Sequence, residues 1–190
     1  RPPNSRRAVN PRDLPSDAEI EAIIDAIADP YWRRIAGFYA TFGIRTGEIV
    51  YLDVSQLPTL LVTGGKTGAR RVTGFHQEWI ARWNLAEWKG WQGDQKDKTG
   101  AVDQKFKKLG LPAPYTFRHC YAGRMALGYG MSAFLGAKMM GHTEDVHRRD
   151  YAAWFDEADI EAQAMKAALR GPVFRREPAV DQADVDNDDE

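Results

Sequence analysis

The sequence predicts an α+β domain that is mainly helical and carries one small antiparallel sheet. Three observations predict it. Apolar residues recur at helical spacing through most of residues 16–169. A single glycine-rich bend, Gly64-Gly65-Lys66-Thr67-Gly68, separates two short stretches that read as strands. Glycine and proline punctuate the remainder at intervals that suit helices of ordinary length.

Residues 1–15 hold Pro2, Pro3, Pro11 and Pro15 together with Arg1, Arg6, Arg7 and Arg12. Proline removes backbone donors and fixes an extended path, so this segment reads as a linker or arm, following a further domain upstream. Ser16 opens a helix, with Glu19 three residues on to complete a capping box. Ile20, Ile23 and Ile24, then Ile35, Phe38 and Tyr39, set two helices running to about Phe42 and interrupted near Pro30. Residues 60–62 and 71–73 are the strands of the hairpin. Residues 77–88 read as one helix, residues 89–100 as a polar loop, and residues 102–109 as a short helix. Residues 117–127 and 133–140 are two more helices, divided by Gly128-Tyr129-Gly130. Thr143 caps a helix that approaches Tyr151, and Asp156 or Asp159 starts a last one ending near Leu169. Residues 16–170 therefore form the folded domain, and residues 171–190 an acidic tail predicted to be disordered.

Composition sets limits on function. The 190 residues are 43% hydrophobic and 28% charged, the balance of a water-soluble globular chain, and no apolar run approaches membrane-spanning length. Cys120 is the one cysteine, so an internal disulfide is excluded. The net charge of −1 hides an asymmetry, because seven of the 27 acidic residues lie in residues 177–190, where no basic residue is found. Over residues 1–176, 26 basic residues face 20 acidic ones, a mildly basic body that permits phosphate binding.

The chemistry-bearing residues fall in five ordered stretches. Arg45 stands in Gly43-Ile44-Arg45-Thr46-Gly47-Glu48, at the end of an apolar helix, and Arg118 stands in Tyr115-Thr116-Phe117-Arg118-His119. Two guanidinium forks can each bind nonbridging oxygens of one phosphate, which lysine matches poorly. Lys66 sits in Gly65-Lys66-Thr67. A nucleotide-binding P-loop would need glycine at position 60, which is Leu60, and a strand feeding a helix rather than a strand. At a hairpin tip Lys66 is either a solvated turn residue or a general acid for a leaving oxygen. His142 follows Gly141, and Tyr151 lies nine residues beyond. Tyrosine, with a reference pKa of about 10, attacks phosphorus only beside hydrogen-bonding and cationic partners.

Arg45 in G-x-R-x-x-E, Lys66 in a hairpin, Arg118 before a histidine, His142 in Gly-His and Tyr151 together resemble the catalytic domain of the tyrosine recombinase (phage integrase) family, over residues 12–170. The 24 residues from Arg118 to His142 are typical of that family. The resemblance implies a covalent 3′-phosphotyrosyl intermediate on Tyr151, a free 5′ hydroxyl, no metal or nucleotide cofactor, double-stranded DNA as partner, and tetramer assembly on DNA by a chain that is monomeric alone. It also implies a cytoplasmic, nucleoid-associated protein of a bacterial or phage-infected cell. A departure is Tyr115, where the family usually has histidine; tyrosine can donate to a phosphate oxygen but cannot act as imidazole does near neutral pH. Two other functions share these residues: a type IB topoisomerase-like nicking and resealing enzyme, and a catalytically weakened DNA-binding relic. Other residues keep structural readings. His119 and Cys120 are expected in the core, His147 in solvent, Trp79, Trp83, Trp88 and Trp91 as core and loop anchors, and Trp154 packed behind Tyr151.

Overall fold

A computed structural model describes residues 13–151 and 157–170; within these, residues 148–151, 157, 159, 160, 163 and 170 are described as backbone only. Eight α-helices are described: α1 (Asp17–Asp25), α2 (Pro30–Phe42), α3 (Glu78–Arg82), α4 (Lys98–Lys108), α5 (Pro114–Gly123), α6 (Ala133–Met140), α7 (Glu144–Tyr151) and α8 (Glu157–Arg170). Three strands, β1 (Leu52–Asp53), β2 (Thr59–Val62) and β3 (Arg70–Thr73), form one antiparallel sheet in that order. The mainly helical α+β architecture with a small sheet is as the sequence predicts. None of the described helices is long and apolar enough to cross a membrane.

Local chemistry explains where elements start and stop. The capping box at α1 is present: Ser16 Oγ accepts from the Glu19 amide, and Glu19 accepts from the Ser16 amide at 2.7 Å. Asp29 caps α2 by accepting from the Tyr31 amide at 2.9 Å, with Pro30 at the first helical position, where its missing N–H costs nothing. Gly43 ends α2 at φ +56°, and a Cβ there would lie 2.6 Å from the Tyr121 ring. Only glycine satisfies both the left-handed backbone and that close approach.

The core is built by α2 against α5, closed by the sheet and by tryptophans. Phe38, Tyr39, Phe42, Phe106, Phe117 and Tyr121 are buried together, and Tyr39 packs edge-to-face on Phe106 at 5.6 Å. The tryptophans anchor it as expected, Trp79 donating to Glu21 at 2.6 Å and Trp83 to Asp25 at 2.9 Å. Trp88 is buried and Trp91 half-buried against Trp32.

The structure differs from the sequence expectations at several places, one being that α4 begins at Lys98, inside the expected loop of residues 89–100. Residues 77–88 are not one helix: α3 ends at Arg82 and a 3₁₀ turn occupies Leu85–Glu87. The break is at Asn84, φ +51°, a conformation asparagine tolerates better than most residues. The helix of residues 117–127 starts earlier, at Pro114, and its last turn widens into a π-helical segment, Arg124–Gly128. β1 is a third strand too short to show period-two alternation. Trp154 and the acidic tail, residues 171–190, lie outside the described residues.

Candidate active site

Arg45 is placed by three successive devices. The left-handed turn at Gly43 ends α2, Ile44 is buried, and a 3₁₀ helix at Thr46–Tyr51 begins immediately after. Glu48 in that helix reaches back to accept from the Arg45 amide at 2.7 Å and from Arg45 Nη1 at 3.0 Å. The same Nη1 donates to Thr67 Oγ1 at 2.9 Å, which ties Arg45 to the hairpin tip. Nη2 donates to the Gly141 carbonyl at 2.5 Å.

Arg118 projects from α5 into the interior and is 3% exposed. Its Nη1 donates to the Gly43 carbonyl and its Nη2 to the Met140 carbonyl, both at 2.6 Å. Arg45 and Arg118 thus grip consecutive carbonyls, at Gly141 and Met140, where α6 ends. Two residues 73 positions apart in sequence converge on one helix terminus, whose unpaired carbonyls carry partial negative charge.

His142 follows directly. Gly141 ends α6 at φ +65°, and a Cβ there would lie 2.8 Å from Thr67 Oγ1. His142 Nε2 is 3.2 Å from His147 Nδ1, with the rings edge-to-face. His147 is buried rather than in solvent, because α7 packs on α6 where Gly136 leaves room; a Cβ on Gly136 would meet His147 Nε2 at 2.7 Å. A cavity of about 650 Å³ beside this terminus is lined by Thr67, Arg70, Phe134, Lys138, His142 and Glu144, among others.

Lys66 is exposed at the tip of the hairpin, in a turn whose Gly68 amide donates to the Gly65 carbonyl at 3.2 Å. Gly65 and Gly68 have the positive φ expected of the bend, +113° and +78°. Tyr115 lies in the first turn of α5, 52% exposed, with its ring edge-to-face on His119 at 4.6 Å. His119 is buried, as is Cys120, whose thiol burial pushes up to about 11. Tyr151 is the last residue of α7, and its side chain lies outside the described residues.

Arg70 is a residue that reading the sequence missed. It lies on β3, with its side chain 7% exposed. Its Nη1 and Nη2 donate to Glu48 Oε1 and Oε2, both at 2.7 Å, and its Nε donates to the Met139 carbonyl at 2.8 Å. Burial alone would push the Glu48 carboxyl up; the Arg70 guanidinium, and then Arg45, outweigh it and hold the group below the usual carboxylate range. Strand alternation could have shown that Arg70 and Arg71 face opposite ways, but not which faces inward.

No family model matches the chain. Among curated proteins it is 28% identical to Excisase A of Nostoc sp. (strain PCC 7120 / SAG 25.82 / UTEX 2576), across 84% of this chain and 42% of the relative. It is 32% identical to Excisase C of the same organism, across 65% of this chain and 29% of the relative. The chain thus spans less than half the length of either curated relative. Among solved structures it is similar to XerA recombinase, with TM-score 0.55 and 17% identity over 90% of this chain and 68% of that one. The Tn1549 transposon integrase, solved with transposon right end DNA, gives 0.53 and 19% over 88% and 69%. XerH site-specific recombinase, bound to a palindromic difH substrate, gives 0.54 and 15% over 84% and 53%. The chain therefore has the fold of these tyrosine recombinases.

Proposed function

We propose that this chain is the catalytic domain of a site-specific DNA recombinase that cleaves and rejoins strands through a 3′-phosphotyrosyl intermediate. Residues 16–170 are the catalytic unit. Arg45 and Arg118 grip nonbridging oxygens of the scissile phosphate and stabilise the charge that builds on them. The Tyr151 phenol oxygen attacks phosphorus, forming the phosphotyrosyl bond as the bond to the 5′ oxygen breaks. Lys66 delivers a proton to that leaving oxygen, and His142 takes and returns the phenol proton. Tyr115 donates a hydrogen bond at the phosphate position usually held by histidine. The phosphotyrosyl ester keeps the energy of the broken phosphodiester, so religation by a 5′ hydroxyl needs no nucleotide.

The observation that carries this reading is the convergence of Arg45 and Arg118 on consecutive carbonyls, one residue before His142. Arg45 also keeps donors for an anion: its Nε–H and second Nη2–H have no partner among the described residues. The curated relatives' name points to excision, and two of the solved neighbours are complexes with DNA, which supports double-stranded DNA as substrate; on it the chain assembles as a tetramer. Alone, the domain binds DNA weakly and with strong salt dependence, because phosphate contacts dominate.

The test uses a nicked suicide substrate, from which the cleaved fragment diffuses away and traps the adduct. The wild-type chain is expected to form a covalent protein–DNA product that Tyr151→Phe abolishes and Tyr115→Phe leaves in part. An adduct that survives Tyr151→Phe, or no adduct from the wild-type chain on any duplex carrying its recombination site, contradicts the reading.

A further inference from the structure

We propose that Arg70 is a positioning residue of this site, holding Glu48 and the end of α6 in one register so that Arg45 and His142 meet the same phosphate. The proposal rests on the recombinase reading for the reaction it serves, but its geometry stands independently. Three consecutive carbonyls at the α6 terminus, of Met139, Met140 and Gly141, accept from three arginines: Arg70, Arg118 and Arg45. These arginines come from β3, α5 and the turn after α2, so the terminus is where three separate elements are joined.

Arg70, like Arg45, also binds Glu48, and so closes a second linkage. Its bidentate grip on Glu48 uses one donor for each carboxylate oxygen. Glu48 Oε1 then accepts from Arg45 Nη1 and Oε2 from the Arg45 amide, so both oxygens are shared between the two arginines. The Arg70 and Glu48 side chains are 7% and 3% exposed, so water screens this pair little. A displacement of Arg70 therefore moves Arg45 through Glu48, and moves His142 through Met139 and the two residues between. The contact is tight on the other side too, since a Cβ on Gly141 would lie 3.0 Å from Arg70 Cδ. Arg70 itself needs no contact with the reacting atoms.

Lysine at position 70 keeps the positive charge beside Glu48 but has a single donor centre. It cannot span both carboxylate oxygens and reach the Met139 carbonyl together. Arg70→Lys is therefore expected to fold with a thermal midpoint close to wild type, to bind nicked DNA with unchanged affinity, and to cleave bound DNA about 10²-fold more slowly, the scale of a misplacement near 1 Å. A second readout is independent of cleavage: the His142 ring signals and titration midpoint by NMR in the free chain, assigned with His142→Gln. The proposal expects both to move in Arg70→Lys. Should Arg70→Lys fail to fold, Glu48→Gln interrupts the same linkage and is expected to slow cleavage and displace His142 likewise. Cleavage at the wild-type rate with unmoved His142 signals overturns the proposal, as does a loss accounted for wholly by weaker DNA binding. If the wild-type chain forms no adduct, the recombinase reading fails, and the His142 signals alone decide whether Arg70 positions the terminus.

Discussion

Arg45 and Arg118 donate to the carbonyls of Gly141 and Met140, adjacent residues whose Cα atoms a trans peptide holds about 3.8 Å apart. A helix terminus serves as their common rest. Its carbonyls accept one bond from each guanidinium, and its next residue, His142, lines the adjoining cavity. Disturbing any partner at this terminus should therefore act on the chemistry and on the fold together, in proportions set by burial.

Arg118→Lys should be costly on both counts. Lysine cannot reach Gly43 and Met140 at once, and a buried carbonyl left without a donor costs about 1–3 kcal/mol. Removing one fork from a phosphate clamp should slow cleavage by roughly 10²–10³-fold. Chemical denaturation and single-turnover cleavage measure the two losses separately. Full cleavage by Arg118→Lys would show that this fork does not hold the phosphate.

Gly43→Ala should destabilise the domain far more than Gly68→Ala. Both glycines have positive φ, so alanine strains either backbone, by about 1 kcal/mol. At Gly43 the new methyl also meets the Tyr121 ring at 2.6 Å, whereas at Gly68 nothing lies within 4 Å. Overpacking of that kind typically adds 1–3 kcal/mol. Thermal midpoints of the two variants give the comparison, and equal midpoints would contradict the packing at Gly43.

Glu48 predicts the sign of an acid effect. Its folded pKa is held below its unfolded value of about 4.3, so its contribution is complete above that value. The contribution is lost as pH falls through the folded pKa. Glu48→Gln should therefore be less stable than wild type near neutral pH, with the gap narrowing on acidification. Denaturant unfolding at a series of pH values tests this, and a gap that widens in acid would reverse the assignment.

Cys120 should resist alkylation. With its thiol raised to about 11, little thiolate exists near pH 7, and the side chain is 7% exposed. Modification should follow unfolding, and rapid labelling of the native chain would contradict that burial.

The fold, and the local turns that carry several of the candidate residues, could be read from the sequence because they rest on local signals. Ser16 with Glu19, the glycines of the hairpin and Gly141 before His142 each declare a backbone conformation within a few residues. The parts that escaped depend on tertiary contact. Arg70 differs from Arg71 only in which face of β3 meets α6, and that is decided by packing. His147 looked like a solvent residue on a polar helix, yet Gly136 on α6 opens a seat for it. The break at Asn84 escaped because the apolar spacing of Trp79, Ile80, Trp83, Leu85 and Trp88 suits a continuous helix, while the backbone turns at one permissive residue.

The most direct measurement of the central claim is the identity of the residue joined to DNA. After trapping on nicked substrate and digestion of both polymers, mass spectrometry should find a 3′-nucleotide on the peptide containing Tyr151, with Tyr115 unmodified. A nucleotide on Tyr115 or on any other side chain would contradict an active site assembled at the end of α6.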